Sequence, residues 1–195
     1  GQSPEPGTGA VMPPIFTSST FIQESPGVHK GYEYSRSHNA TRFAAERLIA
    51  NIEGSKLTEE EDRTNGGFCF ASGLAAISTA LELLDCGDAI VCMDDVYGGT
   101  NRLLNKVRKR SQGLKVEFVD MTDIAKLEAA VKANKPKMIW VETPTNPTLK
   151  LVDLAAVAKI GKACGAITVC DNTFATPLLQ RPLELGMDMV MHSTT

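Results

Sequence analysis

From Phe68 onward, short apolar runs alternate with stretches whose apolar residues recur every three or four positions. The runs near 68–71, 89–93, 116–119, 138–142, 167–170 and 188–191 have the length and bounding turns of buried strands. The stretches near 73–85, 100–110, 123–133 and 153–164 read as amphipathic helices. Leu74, Ile77, Leu81 and Leu84 form one buried stripe, closed by Gly87, and Ile124, Leu127 and Val131 form another behind Asp123. Repeated strand-helix-strand units of this size predict an α/β fold, a mostly parallel (mixed) sheet with helices on both faces. No internal repeat and no low-complexity segment breaks the pattern.

Residues 1–40 hold neither period for long and are rich in Gly, Pro, Ser and Thr, which predicts an extended arm. Ile15, Phe16, Phe21, Ile22, Tyr32 and Tyr34 make it too apolar for a solvated tail, so it is expected to lie on another surface, a second subunit included. A helix is predicted from Thr41 to Glu53, with Phe43, Leu48, Ile49 and Ile52 as its apolar face and Gly54 as its stop. The segment T58-E-E-E-D-R-T-N-G-G67 reads as a solvated acidic loop.

Composition narrows the function classes. Of 195 residues, 43% are hydrophobic and the net charge is −3, which offers nothing to a polyanion and argues against nucleic-acid binding. The basic run K106-V-R-K-R110 falls on a predicted helix and reads as a solvated face. Five widely spaced cysteines without a CxxC pair, mostly within apolar runs, read as free, buried thiols in a reducing compartment, and three histidines without ligand spacing argue against a zinc site. No secretory signal and no run approaching a membrane span is present in the sequence, so the expectation is a soluble, cytoplasmic protein.

Open α/β sheets bind ligands at the C-terminal ends of their strands, and the loops there carry the candidate chemistry. Asp171 ends the run I167-T-V-C-D171, either as a charge at the mouth of the sheet or as a cap or surface residue. Ser72, Gly73 and Leu74 open a helix directly after a strand, which makes an anion site or a plain N-cap. Tyr97 precedes Gly98 and Gly99, placed to stack on a flat ligand and move a proton, or to pack over a glycine turn. Two prolines stiffen E142-T-P-T-N-P147 and hold Asn146 as a donor, or build a structural turn. Tyr34 and Arg36, two apart on an extended segment, point the same way and suit a phosphate, or a surface salt bridge. A nucleotide-binding module is disfavoured, because G-x-G-x-x-G is missing.

Six segments together, Y34-S-R-S-H-N-A-T41, F70-A-S-G-L-A-A76, D94-D-V-Y-G-G-T-N-R102, E142-T-P-T-N-P147, D171-N-T-F174 and H192-S-T-T195, closely resemble the pyridoxal-phosphate (PLP) enzymes of cysteine and methionine metabolism, the cystathionine lyases. The resemblance runs in order from about Val11 to Thr195. It departs at the acidic loop 58–67, which looks like an insertion, and at His38 and Ala40, where the family usually has Gly and Pro.

The resemblance implies a fold-type I PLP enzyme, with an arm (1–40) reaching a neighbouring subunit and an incomplete PLP-binding large domain (41–195). It implies that Asp171 pairs with the pyridine nitrogen and that Tyr97 stacks on the ring and serves as proton donor. Ser72, Gly73, Leu74, Ser193 and Thr195 would hold the phosphate, with Tyr34 and Arg36 reaching it from another subunit. Asn146 would lie near the phenolic oxygen, Thr173 near the ring and Arg102 on the substrate side. The Schiff-base lysine would follow at position 196, so the chain is expected to be the piece preceding that modified lysine. The implied activity is a C–S lyase cleaving L-cystathionine to L-cysteine, 2-oxobutyrate and ammonia, in a homo-oligomer with a dimer as active unit and a tetramer expected. Gly99 stands where methionine γ-lyases carry cysteine, which argues against that branch. Cystathionine β-lyase and γ-synthase activities stay open, as does a non-catalytic fragment retained for assembly.

Overall fold

The computed structural model describes residues 4–5, 7–55 and 66–194. Most of the predicted acidic loop and Thr195 lie outside the described residues. The chain divides into two compact units between Cys69 and Phe70.

In the first unit, β1 (Gln23–Ser25) and β2 (Val28–His29) form an antiparallel hairpin, and α1 spans Ala40–Ile52. Asn39 caps α1 by accepting from the N–H groups of Thr41 and Arg42, a Ser/Asn-type cap that replaces missing intrahelical partners. The arm is tied to this helix by Phe16 N–H donating to Thr41 Oγ1 at 2.8 Å, and Tyr32 sits between the Phe21 and Phe43 rings at 5.5 and 6.0 Å. Helix α1 departs from its predicted face. Phe43 is buried, together with Glu46 and Ala50, but Leu48, Ile49 and Ile52 stand exposed in the single chain. The predicted strand at 68–71 does not form. Cys69 N–H donates instead to the buried Glu46 carboxylate at 2.9 Å, and Phe68 and Phe70 are exposed, so the run has no sheet to join.

The second unit follows the predicted alternation closely. Helix α2 (Gly73–Ala80) continues into a 3₁₀ turn, Leu81–Leu83, and buries Ile77, Leu81 and Leu84; of the predicted stripe only Leu74 is left out. Strand β3 (Ala89–Met93) leads to α3 (Gly98–Arg102), a π-helical segment Leu103–Arg108 and α4 (Lys109–Ser111). Then come β4 (Lys115–Val119), α5 (Ile124–Asn134), β5 (Met138–Glu142), α6 (Leu154–Cys164), β6 (Ile167–Asp171), α7 (Thr176–Leu179) and β7 (Met189–Met191). Asp123 and Asp153 cap α5 and α6, as their positions before the apolar stripes require. Of the basic run, Arg108 bonds Ser78 and Glu82, while Lys106, Lys109 and Arg110 are solvated.

The five strands run in the order β4-β3-β5-β6-β7 and are parallel throughout, rather than mixed. The chain steps one way from β3 to β4 and the other way thereafter. Right-handed crossovers then place α3 and α4 on one face and α5 and α6 on the other. Burial agrees: all of β5 is inaccessible, as a strand covered on both faces must be, whereas edge strand β4 exposes Lys115 and Glu117. The reversal of direction leaves a switch point between the C-terminal ends of β3 and β5, the place where such sheets bind ligands. The cysteines are free but not uniformly buried: Cys92 and Cys170 lie inside strands β3 and β6, whereas Cys69, Cys86 and Cys164 sit outside the strands and are exposed. Among the described residues, no helix is long and apolar enough to cross a membrane, and no group of three or more His, Cys, Asp or Glu side chains is arranged to hold a metal ion.

Candidate functional site

A cavity of about 390 Å³ opens at this switch point, lined by residues from all the strand-tip loops named above. Its floor is set by register. Glu142 at the end of β5 pairs with Asp171 at the end of β6, and Asp171 with Met191 of β7. Parallel neighbours in register stand about 4.8 Å apart with side chains on the same face, so two carboxylates lie side by side. Both are nearly inaccessible, at 4% and 6% exposure.

Burial is the main influence on both. It pushes Asp171 above the usual carboxylate range, opposed by hydrogen bonds from Thr173 and the charge of His192. It pushes Glu142 up to about 7, opposed by the Tyr97 N–H and reinforced by the neighbouring charge of Asp171. Thr173 N–H donates to Asp171 Oδ1 at 3.1 Å, and Thr173 Oγ1 accepts from Ser193 N–H at 2.9 Å, which links the tips of β6 and β7. Gln180 Nε2 donates to the buried Asn172 Oδ1, Asn172 Nδ2 donates back to the Gln180 backbone O, and Gln180 Nε2 also donates to Thr143 O at 3.0 Å, linking β6 to β5.

Ser72 caps α2 by accepting from Ala75 N–H at 3.1 Å, and the helix presents its first turn to the cavity through Gly73 and Leu74. Gly73 is required there. A Cβ at that position would lie 2.9 Å from Ser193 Cβ, so the α2 and β7 tips approach as only glycine permits. Gly99 is equally constrained, because a Cβ would fall 2.3 Å from Tyr97 Cε1: the phenol ring lies directly over the glycine while staying 46% exposed toward the cavity.

Of the predicted site residues, Ser72, Gly73, Leu74, Tyr97, Asn146, Asp171, Thr173 and Ser193 all line this one cavity. Arg102 is exposed and is not among its lining residues; its guanidinium lies by Gly98, with Nη1 3.1 Å from where a Cβ there would be. Tyr34 and Arg36 belong to the first unit. Their segment is a turn rather than extended, with Ser37 and His38 N–H both donating to Tyr34 O, yet the Arg36 guanidinium does stack 4.9 Å from the Tyr34 ring centroid. Sequence reasoning missed Glu142. A carboxylate closing the wholly apolar run M138-I-W-V141 was the available signal, masked by the prolines that follow.

A buried carboxylate at the floor, a glycine-tight helix start and an aromatic ring beside them define a site for a flat, phosphorylated, cationic group. All of residues 1–195 match the family described as Cys/Met metabolism PLP-dependent enzyme, and the chain belongs to that family. It is 60% identical over its whole length to a protein of Coxiella burnetii named cystathionine beta-lyase, covering 48% of it, and 49% identical to human cystathionine gamma-lyase, covering 46%. It superposes on a crystal structure of cystathionine gamma-lyase from Lactobacillus plantarum complexed with L-serine, with a TM-score of 0.89 and 45% identity, over 98% of this chain and 47% of that one. The chain thus spans about half the length of these relatives.

The family's cofactor is pyridoxal phosphate, and the residues fit it. A protonated ring nitrogen beside Asp171 reverses the cost of burying that carboxylate. The start of α2, with glycine at 73 and the Ser193 backbone against it, suits a phosphate.

Proposed function

We propose that the protein is a PLP-dependent carbon–sulfur lyase that cleaves L-cystathionine on its γ side, giving L-cysteine, 2-oxobutyrate and ammonia. The observation that carries this reading is the convergence of Asp171, Tyr97 and the Gly73–Ser193 contact on one cavity. The bound cofactor supplies an electron sink for charge left on the substrate carbon. Asp171 would keep the ring nitrogen protonated, Tyr97 would stack on the ring and supply a proton to the departing thiol, and Asn146 and Thr173 would hold the ring. Ser72, Gly73, Leu74, Ser193 and Thr195 would hold the phosphate, Tyr34 and Arg36 of a neighbouring subunit would complete that task, and Arg102 would shape the substrate side. The arm makes this a homo-oligomer, and its setting is the cytoplasm.

Gly99 speaks only against the methionine γ-lyase branch, since a side chain there would meet the Tyr97 ring where it lies. Cleavage on the β side is the second reading, favoured by the 60% identity to a protein named cystathionine beta-lyase. Incubating full-length protein with L-cystathionine and identifying the keto acid tests both. The γ reading expects 2-oxobutyrate; pyruvate alone replaces it with the β reading. Neither keto acid, together with no cofactor absorbance, leaves a non-catalytic assembly subunit.

A further inference from the structure

Glu142 lines the cavity but has no part in the roles above. Its two oxygens are used separately. Oε2 accepts the Tyr97 N–H and Oε1 accepts the Asn146 N–H, both at 2.8 Å. The donors come from different loops, one after β3 and one after β5, and those loops carry the stacking ring and the amide of the site. Keeping a carboxylate in this place is costly, since it is almost fully desolvated and stands in register with Asp171. Only a carboxylate offers two acceptor oxygens on one rigid plane. A glutamine of the same size accepts through one oxygen and turns an NH₂ group toward the second N–H.

We infer that Glu142 is a positioning residue, a single planar clasp that fixes Tyr97 and Asn146 relative to one another across the switch point; as a statement about catalysis it rests on the lyase reading. The loops have a second, independent fastening. Asp95 accepts from Thr145 Oγ1 at 2.5 Å and Thr148 N–H at 3.1 Å, and Lys150 binds Asp94 at 3.0 Å. With those ties in place, loss of Glu142 leaves the loops folded and joined through Asp95 and Lys150, and frees the Tyr97 and Asn146 backbone to shift within them.

The test uses full-length wild type, E142Q and E142A, with hydrogen exchange read by mass spectrometry on the apoprotein and steady-state kinetics on the holoenzyme. E142A is expected to speed exchange at least tenfold in the peptides holding Tyr97 and Asn146, and E142Q in at least one of them, with α6 peptides unchanged. In E142Q, kcat is expected to fall at least tenfold while KM for L-cystathionine stays within about threefold, because the displaced groups act on the reacting centre. Exchange within twofold of wild type in both peptides of both variants overturns the inference. Should a variant lose protection throughout, wild-type apoprotein labelled with ¹⁵N at Tyr and Asn decides: the Tyr97 and Asn146 amides must titrate with one shared midpoint, and separate midpoints overturn it. The charged groups that act on Glu142 are Asp171 and Asp95, and Glu142 in turn acts on the buried Cys92. Exchange and titration need neither cofactor nor substrate. A protein with coupled amides and no keto acid product keeps the clasp and loses the lyase reading; keto acid formation with unaltered exchange does the reverse.

Discussion

Glu142 and Asp171 both hold their protons more tightly in the folded protein than in the unfolded chain, which ties stability to pH. The sign follows from the raised values: the stabilisation is full below the unfolded value of 4.5 for Glu142 and is lost as pH rises through about 7. Denaturant titrations of the apoprotein are expected to show stability declining over that window, by at most about 1.4 kcal/mol per pH unit for one group, with the slope reduced in E142Q. A flat profile contradicts the burial of the pair. At this scale the sequence was most readable where chemistry sat in a loop. Tyr97, Asn146 and Ser72 stand out beside glycines and prolines that mark strand ends. Glu142 did not, because the partner that gives it a role, the Tyr97 N–H, lies 45 positions away, and a carboxylate ending an apolar run looks local without it.

Elements with both a period and a cap were legible to within a residue or two, as α5 and α6 show behind Asp123 and Asp153. The run at 68–71 failed for the opposite reason: four apolar residues describe a strand only if another strand pairs with them, and Glu46 takes the Cys69 N–H instead. Helix α1 shows a further limit, since periodicity locates an apolar face without saying what covers it. Close packing between elements was also invisible. Helix α6 approaches β6 so tightly that a Cβ on Gly161 would lie 2.1 Å from Thr168 Cγ2. Alanine at 161 favours the helix by about 1 kcal/mol, yet the overlap with a buried threonine typically costs 1–3 kcal/mol. Chemical denaturation of G161A is therefore expected to show a net loss of stability; a gain would mean α6 can lift from the sheet at little cost.

For the molecule as a whole, sequence alternation was enough to define a parallel α/β sheet, whereas the division into two units between Cys69 and Phe70 falls inside an apolar run and carries no mark in the sequence. The arm keeps Tyr34 and Arg36 stacked on one another, preassembled for a planar or anionic partner. If they reach a cofactor phosphate in a neighbouring subunit, R36A in the full-length protein weakens PLP binding roughly tenfold or more, the loss of one charge-assisted hydrogen bond. Unchanged affinity by equilibrium titration would assign the pair another partner. The pairing of Glu142 with Asp171, and of Asp171 with Met191, has a consequence for how the protein comes into being. A slip of one residue between β5 and β6 would turn Asp171 to the opposite face of the sheet. The ligand-binding floor therefore exists only when β5, β6 and β7 are aligned in this register, and recovery of cofactor binding on refolding is expected to report that alignment.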